Sequence, residues 1–120
     1  MSAAVPERRQ VWEAMSELYL DAPVDAATLA RVAAVLARSP YPPDELERIL
    51  RHEVHPVLAP NLCSVAGVWS GFEPGWLAEA IVAHLRRPWP VRWWRARAMR
   101  AHAAALWRQL AGAVAAARRA

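Results

Sequence analysis

The chain contains no lysine, one cysteine (Cys63), one phenylalanine (Phe72), four glycines, and no acid beyond Glu79. Each shortage excludes something. A single cysteine cannot close an internal disulfide, so no oxidising compartment is required. No uncharged apolar run reaches the roughly eighteen residues of a membrane-spanning helix. β-Hairpin dipeptides such as Asn-Gly are missing, and valine, isoleucine and threonine do not gather in alternating runs, which argues against a sheet. The start, MSAAVPERRQ, lacks the apolar core of a secretory signal and carries Glu7 early, so a cytoplasmic protein is expected. Gly67, Gly71 and Gly75 lack the strand and lysine that a phosphate-cradling loop needs.

What is present is helical material. The 120 residues are 56% hydrophobic, much of it alanine, which is too apolar for a disordered chain. A chain of this size buries roughly 65% of its unfolded surface, enough for one core. Arginine and alanine excess without lysine suggests a GC-rich bacterial genome. Codon bias does not explain the charge layout, however. Residues 1–79 hold six arginines and all eleven acids, whereas residues 80–120 hold nine arginines and none.

Hydrophobic spacing predicts the elements. Trp12, Met15, Leu18 and Tyr19 form one stripe of a helix over 6–20, with Pro6 at its first position and Glu7 at the positive end of its dipole. A second helix, over 25–38, is capped by Asp25 and lined by Leu29, Val32, Val35 and Leu36. A third begins at Pro43 with Asp44, Glu45 and Glu47 in its first turn. It carries Leu46, Ile49, Leu50 and Val54, and Pro56 is expected to end or kink it. Residues 56–76 read as a partly irregular hub. Pro74 opens a fourth helix with Leu77, Ile81 and Leu85 at i, i+4 and i+8. After the Pro88-Trp89-Pro90 break, one long helix is expected from 91 to about 118, with Met99, Ala103, Leu106, Leu110, Ala113 and Ala117 as a heptad-like seam. The expectation is an all-α bundle of four helices plus one long C-terminal helix. Residues 1–87 form the core domain and residues 88–120 a basic, tryptophan-rich extension.

Three segments, VWEAMSELYLD, ARSPYPPDELERIL and EVHPVLAPNLCSVAGVWSGFEPGWL, resemble a family of short uncharacterised bacterial proteins with the same ordered motifs. The resemblance covers about residues 8–85. Its most specific part is the hub, through Pro56, Pro60, Asn61, Leu62, Gly67, Trp69, Gly71, Phe72 and Trp76. It implies no activity. The tail then reads as an extension peculiar to this protein or to a subset of the family.

Candidate chemistries fail on spacing. His52-Glu53-Val54-His55 has histidines at i, i+3, whereas a zinc-peptidase helix needs i, i+4 around the glutamate. A metal would also need His84, His102 or Cys63 as a third ligand. His55 before Pro56 reads better as a partner for the last carbonyls of the third helix. Cys63, between Leu62 and Val65, reads as a buried thiol, and the acids at 44–47 as a dipole-matched first turn. No catalytic residue, cofactor, metal or small-molecule substrate is expected.

Two surfaces remain. Trp69, Phe72 and Trp76 form an aromatic knot, either core or an anchor for a partner protein. Arg92, Trp93, Trp94, Arg95, Arg97, Arg100, Trp107 and Arg108 interleave rings and guanidinium groups. This set could pack on the acidic body or self-associate, meet nucleic acid by phosphate contact and base stacking, or lie on an anionic membrane. The leading expectation is a non-enzymatic protein-interaction module, an adaptor or an immunity-type protein that blocks a toxin. Nucleic-acid binding by the tail is the alternative.

Overall fold

In the computed structural model, described over residues 6–19, 25–62, 74–97 and 100–119, helices follow one another with no strand among the described residues. Helix α1 spans Pro6–Ser16 and tightens into a 3-10 turn at Glu17–Tyr19. It buries Val11, Trp12 and Met15, and the turn adds Leu18 and Tyr19. Helix α2, Ala26–Arg38, starts as its sequence dictates: Asp25 accepts a hydrogen bond from the Thr28 amide at 2.7 Å. That bond also holds the Asp25 carboxyl below its usual range.

Helix α3 spans Pro43–Ile49 and does not stop at Pro56. It runs through a π turn, Leu50–Val54, into α4, His55–Leu62. In the π turn the His55 amide reaches back five residues to the Leu50 carbonyl. The wider turn carries the helical path past Pro56, so of the two outcomes expected there, an end or a kink, the helix does not end. Proline still leaves a defect. The His52 carbonyl, four residues earlier, has no Pro56 N–H to accept. His84 fills that vacancy from another helix, its Nε2 lying 3.2 Å from the His52 carbonyl.

Helix α5, Pro74–Leu85, buries Leu77 and Ile81 and packs Leu85 on the core's edge. Helix α6, Trp89–Arg97, begins two residues earlier than expected and buries nothing. Helix α7, Arg100–Arg119, buries Ala103, Leu106, Leu110 and Val114. The seam thus drifts from Ala113 to Val114. Its 3-4-4 spacing follows the 3.6-residue turn of a straight helix on a globular core, not the 3.5 of a coiled coil.

Leu106, Leu110 and Val114 belong to the same apolar cluster as Trp12, Leu36, Leu46 and Ile81. The expected boundary near residue 87 lies between α5 and α6, and α7 returns to the core beyond it. The radius of gyration, 13.6 Å, matches the roughly 13–14 Å of a compact chain this long, so α7 docks rather than projects. Its far end is tied to α2. Arg118 donates to the carbonyls of Leu36 at 3.2 Å and Tyr41 at 2.6 Å, with longer bonds to Ala37 and Ser39. The last-turn carbonyls of a helix have no partner within it, and a cation suits that end of the dipole.

Candidate functional site

A buried carboxylate organises one side of the molecule. Glu53, in the π turn, accepts from Trp12 Nε1 at 2.8 Å and from Arg8 Nε at 3.0 Å, and Arg8 Nη2 bonds its second oxygen. The same Nη2 donates to Glu45 at 2.9 Å, and the guanidinium lies 5.4 Å from the Tyr41 ring centroid. Burial alone would lower the Arg8 pKa, but its bonds to Glu53 and Glu45 outweigh that and raise it. Arg8 is a permanent cation here. One polar cluster therefore locks α1 to α3 and the π turn.

Above this floor opens a cleft of about 810 Å³. One wall is α3 and the π turn, presenting Asp44, Glu47, Arg48, Arg51 and His52. The other is the end of α5 and α6, presenting Leu85, Trp89, Arg92 and Trp93. Four arginines (Arg8, Arg48, Arg51 and Arg92) meet four carboxylates (Asp44, Glu45, Glu47 and Glu53) around it. Glu47 and Arg51 approach to 2.9 Å at i, i+4, without the alignment of a hydrogen bond. Burial, with Arg48 and Arg51 nearby, holds His52 below the usual imidazole range.

The two walls are joined under the cleft by His84, 1% exposed. Its Nδ1 lies 3.1 Å from Arg95 Nη1. Arg95 can only donate, so Nδ1 accepts, and Nε2 carries the proton given to the His52 carbonyl. Burial, reinforced by Arg95, Arg92 and Arg87, pushes His84 down to about 4. The neutral ring thus anchors α6 to α5 and to the proline defect. A second buried group pairs the Tyr19 hydroxyl with His55 Nδ1 at 2.7 Å, and His102 stacks 6.4 Å from His55. Burial raises the Tyr19 pKa. His55 thus spends its Nδ1 on Tyr19 from within a helix that continues past it, rather than from a helix end.

The expected surface residues divide. Trp69 and Phe72 lie outside the described residues, as does Cys63. Trp76 is 43% exposed on α5. Of the tail set, Trp107 packs against the core and Arg95 turns inward to His84. Arg92 bonds the Arg87 carbonyl at 3.0 Å and reaches the cleft. Trp93 and Trp94 are 52% and 71% exposed, and Arg97 covers the Trp93 ring at 4.7 Å. Arg100 and Arg108 are exposed on α7. Arg8, Trp12 and Glu53 were not singled out from the sequence as a polar unit. Separations of 41 and 45 residues leave no local signal for such a unit.

Residues 6–113 match the profile of DUF7079, a domain of unknown function. The chain belongs to that family. No curated protein and no solved structure shows a significant match to it. The family match runs past residue 85, where the resemblance was expected to stop. It includes both cleft walls, all of α6 and most of α7. The wall that α6 supplies is thus within the family's domain rather than an appendage to it.

Proposed function

We propose that this DUF7079 protein is a non-enzymatic interaction module that holds a segment of a partner protein in the cleft between α3 with its π turn and α6. The observation that carries this reading is the cleft itself: about 810 Å³, with the exposed indoles of Trp89 and Trp93 on one wall and balanced charge around it. Indole and arginine anchors dominate many protein interfaces. Balanced charge suits a peptide segment bearing both signs. Three buried groups capable of acid–base work are engaged structurally: Glu53 by Arg8 and Trp12, His84 by the His52 carbonyl and Arg95, and Tyr19 by His55. An adaptor or an immunity-like role fits this surface.

A second reading, nucleic-acid binding, is favoured by the six arginines over residues 86–100 with no acid among them. It ranks lower because Asp44, Glu45 and Glu47 would repel phosphates in the cleft, and because Arg97 occupies a face of Trp93. Affinity purification of the intact protein with cross-linking should place a partner against Arg48, Trp89 and Arg92. Trp89→Ala with Arg92→Ala should lose that partner while circular dichroism stays unchanged. Retention of the partner by the double variant rejects the cleft. A labelled oligonucleotide that binds at low salt and competes with the partner would shift the assignment to nucleic acid.

A further inference from the structure

Helix α6 has two sides with different chemistry. Arg92 and Arg95 hold its inner side, through the Arg87 carbonyl and His84. At about 100° per residue, Pro90, Trp93, Trp94 and Arg97 fall on the opposite side within about 100° of arc. That outward side faces away from His84, with Trp93 at its edge on the rim of the cleft. It belongs to a nine-residue helix that buries nothing, with Trp94 71% and Trp93 52% exposed and Val91 exposed beside them. Exposed aromatic surface gathered this densely marks a contact site rather than ordinary surface scatter.

Charge selects the partner. Six arginines and no acid lie between residues 86 and 100. Among the described residues, no arginine beyond Glu79 forms an ion pair with a carboxylate. Carbonyls and neutral His84 accept hydrogen bonds from some of them but cancel no charge, which remains for an external anion. Shape and ring geometry then choose between anions. A base stacking on Trp93 would have to displace Arg97 from the ring at 4.7 Å, whereas at a lipid headgroup an indole and a guanidinium sit side by side at the same depth. A flat bilayer also meets an exposed helix face without needing a groove. No described helix is long and apolar enough to cross a membrane, so any such contact is peripheral.

We propose that the outer side of α6 docks on the surface of an anionic lipid bilayer, with Trp93, Trp94 and Pro90 at headgroup depth and Arg97 on the phosphates. This surface meets the partner cleft at Trp93, which lines both. Trp94 and Arg97 do not line the cleft, so substituting those two residues tests this assignment without touching the cleft.

The test uses the full chain with vesicles of phosphatidylglycerol mixed into phosphatidylcholine, against phosphatidylcholine alone. The anionic vesicles should sediment the protein, added salt should weaken the binding, and tryptophan emission should shift blue and be quenched by brominated acyl chains. Arg97→Ala should weaken binding about fivefold, as expected for one arginine at an anionic surface. Trp94→Ala should reduce both the blue shift and the quenching, with the circular dichroism unchanged. Sedimentation equal for the wild type and a variant carrying both Trp94→Ala and Arg97→Ala overturns the proposal, as does binding to anionic vesicles with no blue shift. Failure to sediment at low salt, with an oligonucleotide bound through the same two residues, overturns it in favour of nucleic acid.

Discussion

At Glu53 one carboxylate takes hydrogen bonds from Arg8 and from the Trp12 indole, with almost no exposure to water. Removing it strands two donors, one of them charged. Breaking such a pair costs more than the pair contributes relative to an apolar substitute, because the remaining charge stays partly desolvated. Arg8 keeps some contact with water and with Glu45, which softens the loss. Glu53→Ala should therefore lower unfolding stability by roughly 2–4 kcal/mol, read as a fall in the urea midpoint at unchanged slope. A loss below about 1 kcal/mol would show that water replaces the carboxylate and that the cluster does not hold α1 to the π turn. Other single residues matter for the same reason. Asp25 at the start of α2 was legible because its partner Thr28 is three residues away. Glu53 was not, because its partners are distant in sequence.

The elements are joined through one defect. Pro56 removes a donor, the π turn lets the helix continue, and His84 from α5 supplies the missing hydrogen bond while accepting from Arg95 of α6. This chain of contacts requires a neutral imidazole. The unfolded chain protonates His84 near the ordinary value of about 6.5, but the folded chain does so only at about 4. Between these values the unfolded state binds more protons, so stability is fully present above about pH 6.5 and is lost as pH falls toward 4. The contribution is on the order of 3 kcal/mol at most. Denaturant midpoints measured across this window should fall with acid, and more shallowly for His84→Gln. Carboxylates add their own slope at the lower end, which the comparison with the variant removes. Identical slopes would mean that α6 is not held through His84. Proline signalled that something would happen near residue 56. The group that serves the freed carbonyl was not legible, because it comes from α5, whose histidine is 32 residues away from it.

On the scale of the whole molecule, the charge asymmetry does not dock the tail. The described ion pairs all lie within residues 1–79, and α7 is held by apolar burial and by Arg118 on the end of α2. Leu110 is fully buried in this shared core. Leu110→Ala should therefore cost about 2–5 kcal/mol in one cooperative transition, with near- and far-ultraviolet dichroism changing together. Two separated transitions would make the C-terminal helix an independent unit. The arginines, left without carboxylate partners, give α6 a cationic surface while α7 behaves as an ordinary core helix.

Sequence alone settled the all-helical class, the cap at Asp25, the stripes on α1, α2 and α5, and the wealth of arginine and indole near the C-terminus. All of these follow from local rules: periodicity, capping and composition act over a few residues. Which tail residues turn inward was decided only by tertiary structure. Arg95 goes to His84, Trp107 to the core, and Trp93 and Trp94 to solvent, because three-dimensional packing sets which face of a helix meets its neighbours. The cleft and the carboxylate beneath it arise the same way, from groups about forty residues apart that meet only when three helices close on one core.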